Sequence, residues 1–432
     1  MDFLVNPGNT IVGDVTVPGD KSISHRGLIF GALAEGETRI EGMLDGADCK
    51  ATAQVLSQLG VNIDWQNKSV VVEGVGLHGL TGSTSSFDFG NSGTSIRLFS
   101  GLLSAQDFES SLTGDESLCK RPMTRVSKPL TQMGADIETT DGAPPLHIRP
   151  ASELRGIDYE MPIASAQVKS ALLLAGLYAA GSTRVHEPGV TRDHSERMLR
   201  RMGANVNSRP GVVEIVRTDR LSGSDFLVPG DFSSAAFPMV AALTSKAGHV
   251  VLRNVGVNPT RTGLLSALEQ MGGKISLQNL RESAGEPVAD IQVWGSKLRG
   301  IELDPRLVPL MIDEFPILFV ASALAEGVSQ FSGLAELRTK ESDRIASMEA
   351  GLRALGVSCR STEDSVTIEG GRPTGGRVDS FSDHRIAMAF SVLANSCTDG
   401  VTIVDTKNVG TSFPEFLPLM SELALAIEKA DE

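Results

Sequence analysis

One short pattern recurs along the chain and limits what it can fold into: Leu or Met, then Gly, then a small residue and a β-prone stretch. It reads LGVNI at Gly60, MGADI at Gly134, MGANV at Gly203, MGGKI at Gly272 and LGVSC at Gly356, spaced by 74, 69, 69 and 84 residues. A Gly-bearing turn before a β-prone run leads four of these by 22–29 residues: Gly36, Gly181, Gly248 and Gly327 lead Gly60, Gly203, Gly272 and Gly356. Gly400 opens a sixth unit whose helix end, near Ala424, is degenerate. Six units in 432 residues average 72, in agreement with the spacings. Gly directly after a helix fits the left-handed C-cap position, where a Cβ is penalised. Each unit therefore reads as an Ala/Leu-rich helix, a strand, a polar segment, a second helix ending at the Gly, and further strands.

A coarser repeat lies over the first. VPGDKSISHRGLIFGALAEG at Val17–Gly36 is similar to VPGDFSSAAFPMVAALTSKAG at Val228–Gly248, and Pro18 and Pro229 are 211 residues apart, about three units. The expected fold is α/β (α+β repeats) in two similar domains of three units each, with a hinge between them. Residues 19–229 form one domain, 1–18 plus 230–432 the other, with crossovers near the two PGD turns. Such an arrangement offers a ligand cleft between the domains.

Composition narrows the partners. Hydrophobic residues make up 41% and charged residues 21%, which excludes disordered, collagen-like and coiled-coil chains. A net charge of −14 opposes nucleic acid and anionic membrane as main partners, yet a local Lys/Arg cluster can still bind small anions. Cys49, Cys119, Cys359 and Cys397 lie far apart, in no CxxC pattern, and read as reduced thiols in a cytoplasm. The start, MDFLVNPGNTIVGDV, has neither a basic n-region nor an apolar h-region. The most apolar segments, such as Ala171–Ala180, are about half the length a membrane span needs.

Several segments concentrate chemistry. Gly19–Arg26 (GDKSISHR) puts Lys21 and Ser22 at a predicted helix start, where free N–H groups and the helix dipole favour an anion, with Arg26 able to share that face. Asp20 between Gly19 and Lys21 excludes a Walker A loop. Phe89–Arg97 (FGNSGTSIR) lets backbone approach a ligand, although an ordinary capped turn explains it as well. Lys120–Arg125 (KRPMTR) is a basic cluster of a kind usually found on solvated faces. In Ala164–Ser170 (ASAQVKS), capping explains Ser165 but not Gln167 and Lys169 as well. Thr191–His194 has the look of a capping turn. Asp313 and Glu314 lie inside the apolar stretch PLMIDEFPILFV, where burial demands partners and makes a general base. Lys340–Arg344 (KESDR) reads as one helical face dressed with ion pairs, and Ser382–Arg385 (SDHR) precedes an apolar helix. No HxxxH, HExxH or GxSxG occurs, so neither a metal site nor a serine hydrolase is expected. The inventory suits a grip on two small polyanions with acid–base groups between them.

These stretches resemble the enolpyruvyl transferases, and within them the branch acting on shikimate 3-phosphate. PGDKSISHR, GNSGTSIR, KRPMTR, ASAQVKSALLLAGL, TRDH, IDEFP, ELRTKESDRI, SDHRIAMAF and TSFPEF occur in family order from Pro18 to Phe416. The resemblance implies two domains of three βαβαββ units, an inside-out α/β barrel, with the site in the interdomain cleft. It implies transfer of the carboxyvinyl group of phosphoenolpyruvate to the 5-hydroxyl of shikimate 3-phosphate, on the route to chorismate and aromatic amino acids. By motif match, shikimate 3-phosphate is held by Lys21, Ser22, Arg26, Ser165, Ala166, Gln167, Thr191, Asp313 and Lys340. Phosphoenolpyruvate is held by Lys21, Gly93, Arg121, Gln167, Arg344 and Arg385. Asp313, Glu341 and Lys21 are the proton-transfer groups; no cofactor is used, and the family implies a cytoplasmic monomer.

The chain departs from the family pattern in four places. Ala166 stands where many members have a second Ser, His194 where they have Tyr, Glu336 where they have Asn, and Thr411 where they have Lys. With RPMTR and SAQVKSA these features resemble the second class of bacterial synthases, some of which tolerate glyphosate. The branch acting on UDP-N-acetylglucosamine usually carries Lys-Asn in the first motif and a loop Cys about five residues before the matching Arg. Here the pair is Lys21-Ser22, and Cys119 precedes Arg121 by two. A non-catalytic anion-binding relative is disfavoured by the intact set Lys21, Asp313, Glu341 and Arg385. A relative acting on RNA ends is disfavoured by the charge.

Overall fold

The computed structural model describes residues 1–67 and 69–430, and each sequence unit carries two helices in it. The first three units hold α1 (Lys21–Ala32), α2 (Ala47–Gln58), α3 (Gly93–Leu103), α4 (Thr124–Gln132), α5 (Ala166–Gly176) and α6 (His194–Arg201). The last three hold α7 (Phe232–Thr244), α8 (Gly263–Gln270), α9 (Phe315–Ala323), α10 (Arg344–Ala354), α11 (His384–Ala394) and α12 (Phe416–Glu422). Odd-numbered helices are sunk in the cores: α9, FPILFVASA, is buried at every residue. Even-numbered helices are amphipathic, as in α2, where Val55 and Leu56 are buried and Lys50 and Gln54 exposed.

Each even-numbered helix ends two residues before the repeat position. Gln58, Gln132, Arg201, Gln270 and Ala354 precede Gly60, Gly134, Gly203, Gly272 and Gly356. Those five glycines have φ between 79° and 103°, the left-handed cap the pattern predicts. The N–H after each reaches back five residues, as from Val61 to the Leu56 carbonyl at 3.1 Å. The same bond closes α12, from Leu425 to the Met420 carbonyl at 2.9 Å, with Ala424 at φ 70°. The degenerate sixth unit keeps the geometry and carries a Cβ where none is wanted.

The sheets repeat as well, six of them among the described residues. In the third unit, Asp158–Glu160 runs parallel to Ser182–His186, which is antiparallel to Val212–Val216, which is antiparallel to Val206–Arg209. The first, second and sixth units follow this order. In the fifth, the parallel edge shrinks to the bridges Arg299 to Glu326 and Glu302 to Gln330.

The chain divides into two compact units. The central unit comprises Gly19–Val228 with Glu282–Glu286, around a core that includes Leu28, Phe99 and Leu173. The terminal unit comprises Met1–Pro18, Pro229–Arg281 and the chain from Pro287, around a core that includes Val240, Phe319 and Phe390. Strands before the two PGD helices are exchanged. Val12–Thr16, ahead of α1, pairs with His249–Gly256 in the terminal unit. Leu221–Ser222 and Phe226–Leu227, ahead of α7, pair with Ala34–Glu41 in the central unit. Asp2–Asn6 lies between Val401–Val404 and Ala426–Ala430. No described helix is long and apolar enough to cross a membrane.

Candidate active site

The candidate residues collect at helix N-termini, where the first turn leaves backbone N–H groups unbonded and the dipole favours anions. In the central unit, buried Asp20 caps α1 by accepting from Ile23 N–H at 2.9 Å. Lys21 then stands at the first helical position, its Nζ 2.8 Å from Asp48 Oδ2. Arg26, one turn in, is 3% exposed. It donates to the Ser22 carbonyl (2.9 Å), Ser195 Oγ (2.7 Å) and Ser170 Oγ (2.7 Å), tying α1 to α5 and α6. Burial pulls its guanidinium down to about 10, partly offset by Glu196 and Asp20, so it stays cationic near neutrality.

Ser92 caps α3 through Ser95 N–H, which puts Gly93 at the helix start. A Cβ on Gly93 would lie 2.8 Å from Nη1 of both Arg121 and Arg97. Arg121 donates to Asn91 Oδ1 at 2.8 Å. The basic cluster therefore divides: Lys120 is exposed and pairs with Glu116, whereas Arg121 is 7% exposed. Ser165 caps α5 by accepting from Val168 N–H at 3.4 Å, as expected of it, and Ala166 is the first helical residue. Gln167 is fixed at both ends of its amide, accepting from Arg97 Nη1 and donating to Thr94 Oγ1, each at 2.9 Å. Thr191 is buried and donates to Glu187; it does not cap α6.

The terminal unit holds the remaining candidates. Arg344 opens α10 behind the cap Asp343, which accepts from Ala346 N–H at 3.0 Å. That cap corrects the expectation of one helical face over Lys340–Arg344, since Lys340 and Glu341 precede the helix. The Arg344 guanidinium is 1% exposed and faces three carboxylates: Asp383 Oδ2 (2.8 Å), Glu341 Oε2 (2.6 Å) and Asp313 Oδ1 (3.4 Å). Burial alone would lower Arg344, but Asp383, Glu341 and Asp313 together raise it. Burial likewise opposes ionisation of Asp383, and Arg344 overrides it, holding that carboxyl below its ordinary value.

The paired acids of the apolar stretch separate. Glu314 is buried and accepts from Ser233 Oγ, with Arg385 Nη1 3.7 Å away. Asp313 is half-buried, 3.7 Å from Lys340 Nζ, and its carbonyl accepts from Arg385 Nη1 at 3.0 Å. Each unit thus presents cations at helix starts, and the terminal unit adds two accessible carboxylates within reach of one arginine. That is equipment for binding anions and moving protons.

The profile of EPSP synthase (3-phosphoshikimate 1-carboxyvinyltransferase) matches residues 5–420. The chain belongs to the EPSP synthase family. A 3-phosphoshikimate 1-carboxyvinyltransferase of Legionella pneumophila (strain Corby) is 50% identical over 430 residues, 99% of each chain. One of Alkalilimnicola ehrlichii is 52% identical over 435 residues, 100% of this chain and 97% of the other. An EPSP synthase structure from Acinetobacter baumannii superposes with a TM-score of 0.89 at 49% identity, covering 100% of both chains.

Within this chain, the departures from the family pattern each have a local partner. Ala166 offers its carbonyl to Ser170 Oγ at 2.7 Å. Glu336 pairs with Lys340 Nζ at 3.0 Å. Thr411 closes a turn onto the Asn408 carbonyl at 2.7 Å. His194 Nδ1 lies 2.7 Å from Glu286 Oε1. Asp193, His194 and Glu286 have donor atoms within 4.8 Å of one another, the spacing of a metal site. Arg197 already bonds Asp193 Oδ1 at 2.9 Å and the Gly285 carbonyl at 2.7 Å, so a cation is present there.

Sequence reasoning passed over Arg97, Asp383 and Glu187. Arg97 sits four residues after Gly93 and bonds its carbonyl at 3.0 Å, a spacing visible in the text. Asp383 was visible as a cap before an apolar helix, though not as the partner of Arg344. Glu187 bonds Thr191 four residues on, but its ion-pair partner Lys169 is brought to it by the fold.

Proposed function

We propose that this chain catalyses transfer of the carboxyvinyl group of phosphoenolpyruvate to the 5-hydroxyl of shikimate 3-phosphate, with release of phosphate. The observation that carries the reading is the match along whole chains, at about half identity, to proteins named for this activity. The local geometry supports it: cations at helix starts suit two phosphorylated carboxylates, and carboxylates stand beside them.

In the addition step, the 5-hydroxyl oxygen bonds to the central carbon of phosphoenolpyruvate, its proton leaves, and a proton joins the methylene carbon. In the elimination step, phosphate departs with the C–O electron pair and the methyl group gives up a proton. Asp313 takes the hydroxyl proton, and Glu341 handles those at carbon, with Lys21 as a further proton carrier. Lys21, Ser22, Arg26, Ser165, Ala166, Gln167, Thr191, Asp313 and Lys340 hold shikimate 3-phosphate. Lys21, Gly93, Arg121, Gln167, Arg344 and Arg385 hold phosphoenolpyruvate. Guanidinium forks grip carboxylate and phosphate through two parallel bonds. The reading assigns the sets from both units to one reaction, in a cytoplasmic monomer that needs no cofactor.

The test is phosphate release from phosphoenolpyruvate with shikimate 3-phosphate in one reaction and UDP-N-acetylglucosamine in another. Release only in the first is the expected result. Release only in the second reassigns the acceptor, and none in either removes the catalytic reading.

A further inference from the structure

Lys169 has no place in the chemistry above, yet it is among the most completely buried charges in the chain. It lies on α5, one turn after the candidate residues Ser165, Ala166 and Gln167, and is 1% exposed. Its Nζ is 3.1 Å from each carboxylate oxygen of Glu187 and 2.6 Å from Glu196 Oε1. Glu196 is 1% exposed, and Glu187 is the acceptor for the Thr191 hydroxyl. A buried ammonium is costly unless its partners are placed for it, so an arrangement this specific calls for an account.

The charges beside it supply one. Arg26 is bonded to Ser195, the residue before Glu196, and to Ser170, the residue after Lys169. Glu196 and Arg26 feel one another electrostatically, and Arg192 lies close enough to Arg26 to act on it as well. Burial raises the Glu196 carboxyl, Asp193 adds to the rise, and Lys169 opposes both. Lys169 thus pairs with both Glu187 and Glu196, and Glu196 also acts on Arg26. Without the ammonium, Glu196 would turn its field more fully on Arg26, and Glu187 on any anion bound beside Thr191.

We propose that Lys169 is a positioning residue for the acceptor's phosphate: it engages Glu187 and Glu196 so that Arg26, and Thr191 once its hydroxyl turns from Glu187, can serve that dianion. This rests on the substrate reading above. Lys169 touches no substrate; it acts through the two carboxylates. A phosphate that arrives at Thr191 draws the hydroxyl proton away from Glu187, and Lys169 is then the partner that keeps Glu187 satisfied.

The test compares wild type, Lys169→Met, Glu196→Gln and the charge-balanced double variant, measuring initial rates and binding of shikimate 3-phosphate against unphosphorylated shikimate. Lys169→Met is expected to raise the KM for shikimate 3-phosphate about tenfold or more. Its kcat and its KM for phosphoenolpyruvate should move far less, and its preference for the phosphorylated acceptor should shrink. Adding Glu196→Gln should restore most of that preference, which a merely structural role for Lys169 would not allow. Should Lys169→Met not fold, Glu196→Gln alone decides, since removing one acid should tighten shikimate 3-phosphate without changing phosphoenolpyruvate. Equal weakening of both acceptors, an unrescued double variant, or an unmoved KM in Glu196→Gln overturns the proposal. An active wild type with such variants overturns only this inference, whereas a wild type inactive with shikimate 3-phosphate takes the substrate reading down with it.

Discussion

Arg344 Nη2 lies 2.6 Å from Glu341 Oε2, three residues earlier in the chain, while Nη1 of the same guanidinium faces Asp313 at 3.4 Å. Two acids assigned to different proton transfers therefore share one cation. On the proposed assignment, an anionic substrate at Arg344 would compete with both carboxylates for that guanidinium.

If Asp313 accepts the hydroxyl proton, Asp313→Ala should lower kcat by roughly 10²–10⁴, the usual worth of a general base. Acceptor binding should change less, because Lys340, Arg26 and the other residues assigned to it remain. Initial rates of phosphate release, alongside calorimetric binding of shikimate 3-phosphate, check this; near-normal turnover would remove Asp313 from the chemistry.

Gly93→Ala should weaken phosphoenolpyruvate. The new Cβ would stand 2.8 Å from Nη1 of Arg97 and Arg121, and both side-chain tips would have to move. We expect the KM for phosphoenolpyruvate to rise about tenfold, since misplacing a positioning group by about 1 Å carries costs of that order or more. The urea midpoint should hold. An unchanged KM would mean that neither arginine is set by this contact.

Ala424→Gly should stabilise the protein by about 0.5–1 kcal/mol, because φ there is 70° and a left-handed Ala is strained. Urea unfolding followed by circular dichroism measures it. A lowered midpoint would show that the side chain of Ala424 contributes more than its backbone costs.

Acid sensitivity should run through His25. Burial, then Lys21 and Arg26, lowers its pKa well below the ordinary value, and Nδ1 bonds Thr52 Oγ1 at 2.9 Å. The unfolded chain takes up a proton below about pH 6.5 that the folded chain refuses. Stability therefore falls as pH drops through that value, by at most about 1.4 kcal/mol per pH unit. Unfolding free energies of wild type and His25→Gln between pH 5 and 7.5 should diverge toward acid, the variant declining less steeply; parallel curves would refute the assignment.

What was legible in the sequence was local. The five repeat glycines announce left-handed caps because nothing else tolerates that backbone cheaply, and the helix ends fall where they say. Candidate residues at Lys21 and Ser165 stood out because they lie at helix starts, which caps reveal, whereas Arg385 was marked by motif resemblance. What stayed hidden depends on partners far along the chain. Lys169 was conspicuous, but nothing near it names Glu187 and Glu196. The strand Val12–Thr16 gives no hint that its partner begins at His249. The helical reading of Lys340–Glu341 failed because α10 begins only at Arg344, behind the cap Asp343.

The exchanged strands also set an order of assembly. A ribosome has made the whole central unit, apart from residues 282–286, once Val228 is complete, and that unit's first sheet can then close on Leu221–Leu227. Residues 2–16 are made before the central unit, but one of their strands must wait for His249 and the other for Val401. Strands made ahead of the central unit thus find their places only after it is made, and the terminal unit matures only once Val401 and the strand beyond it have emerged.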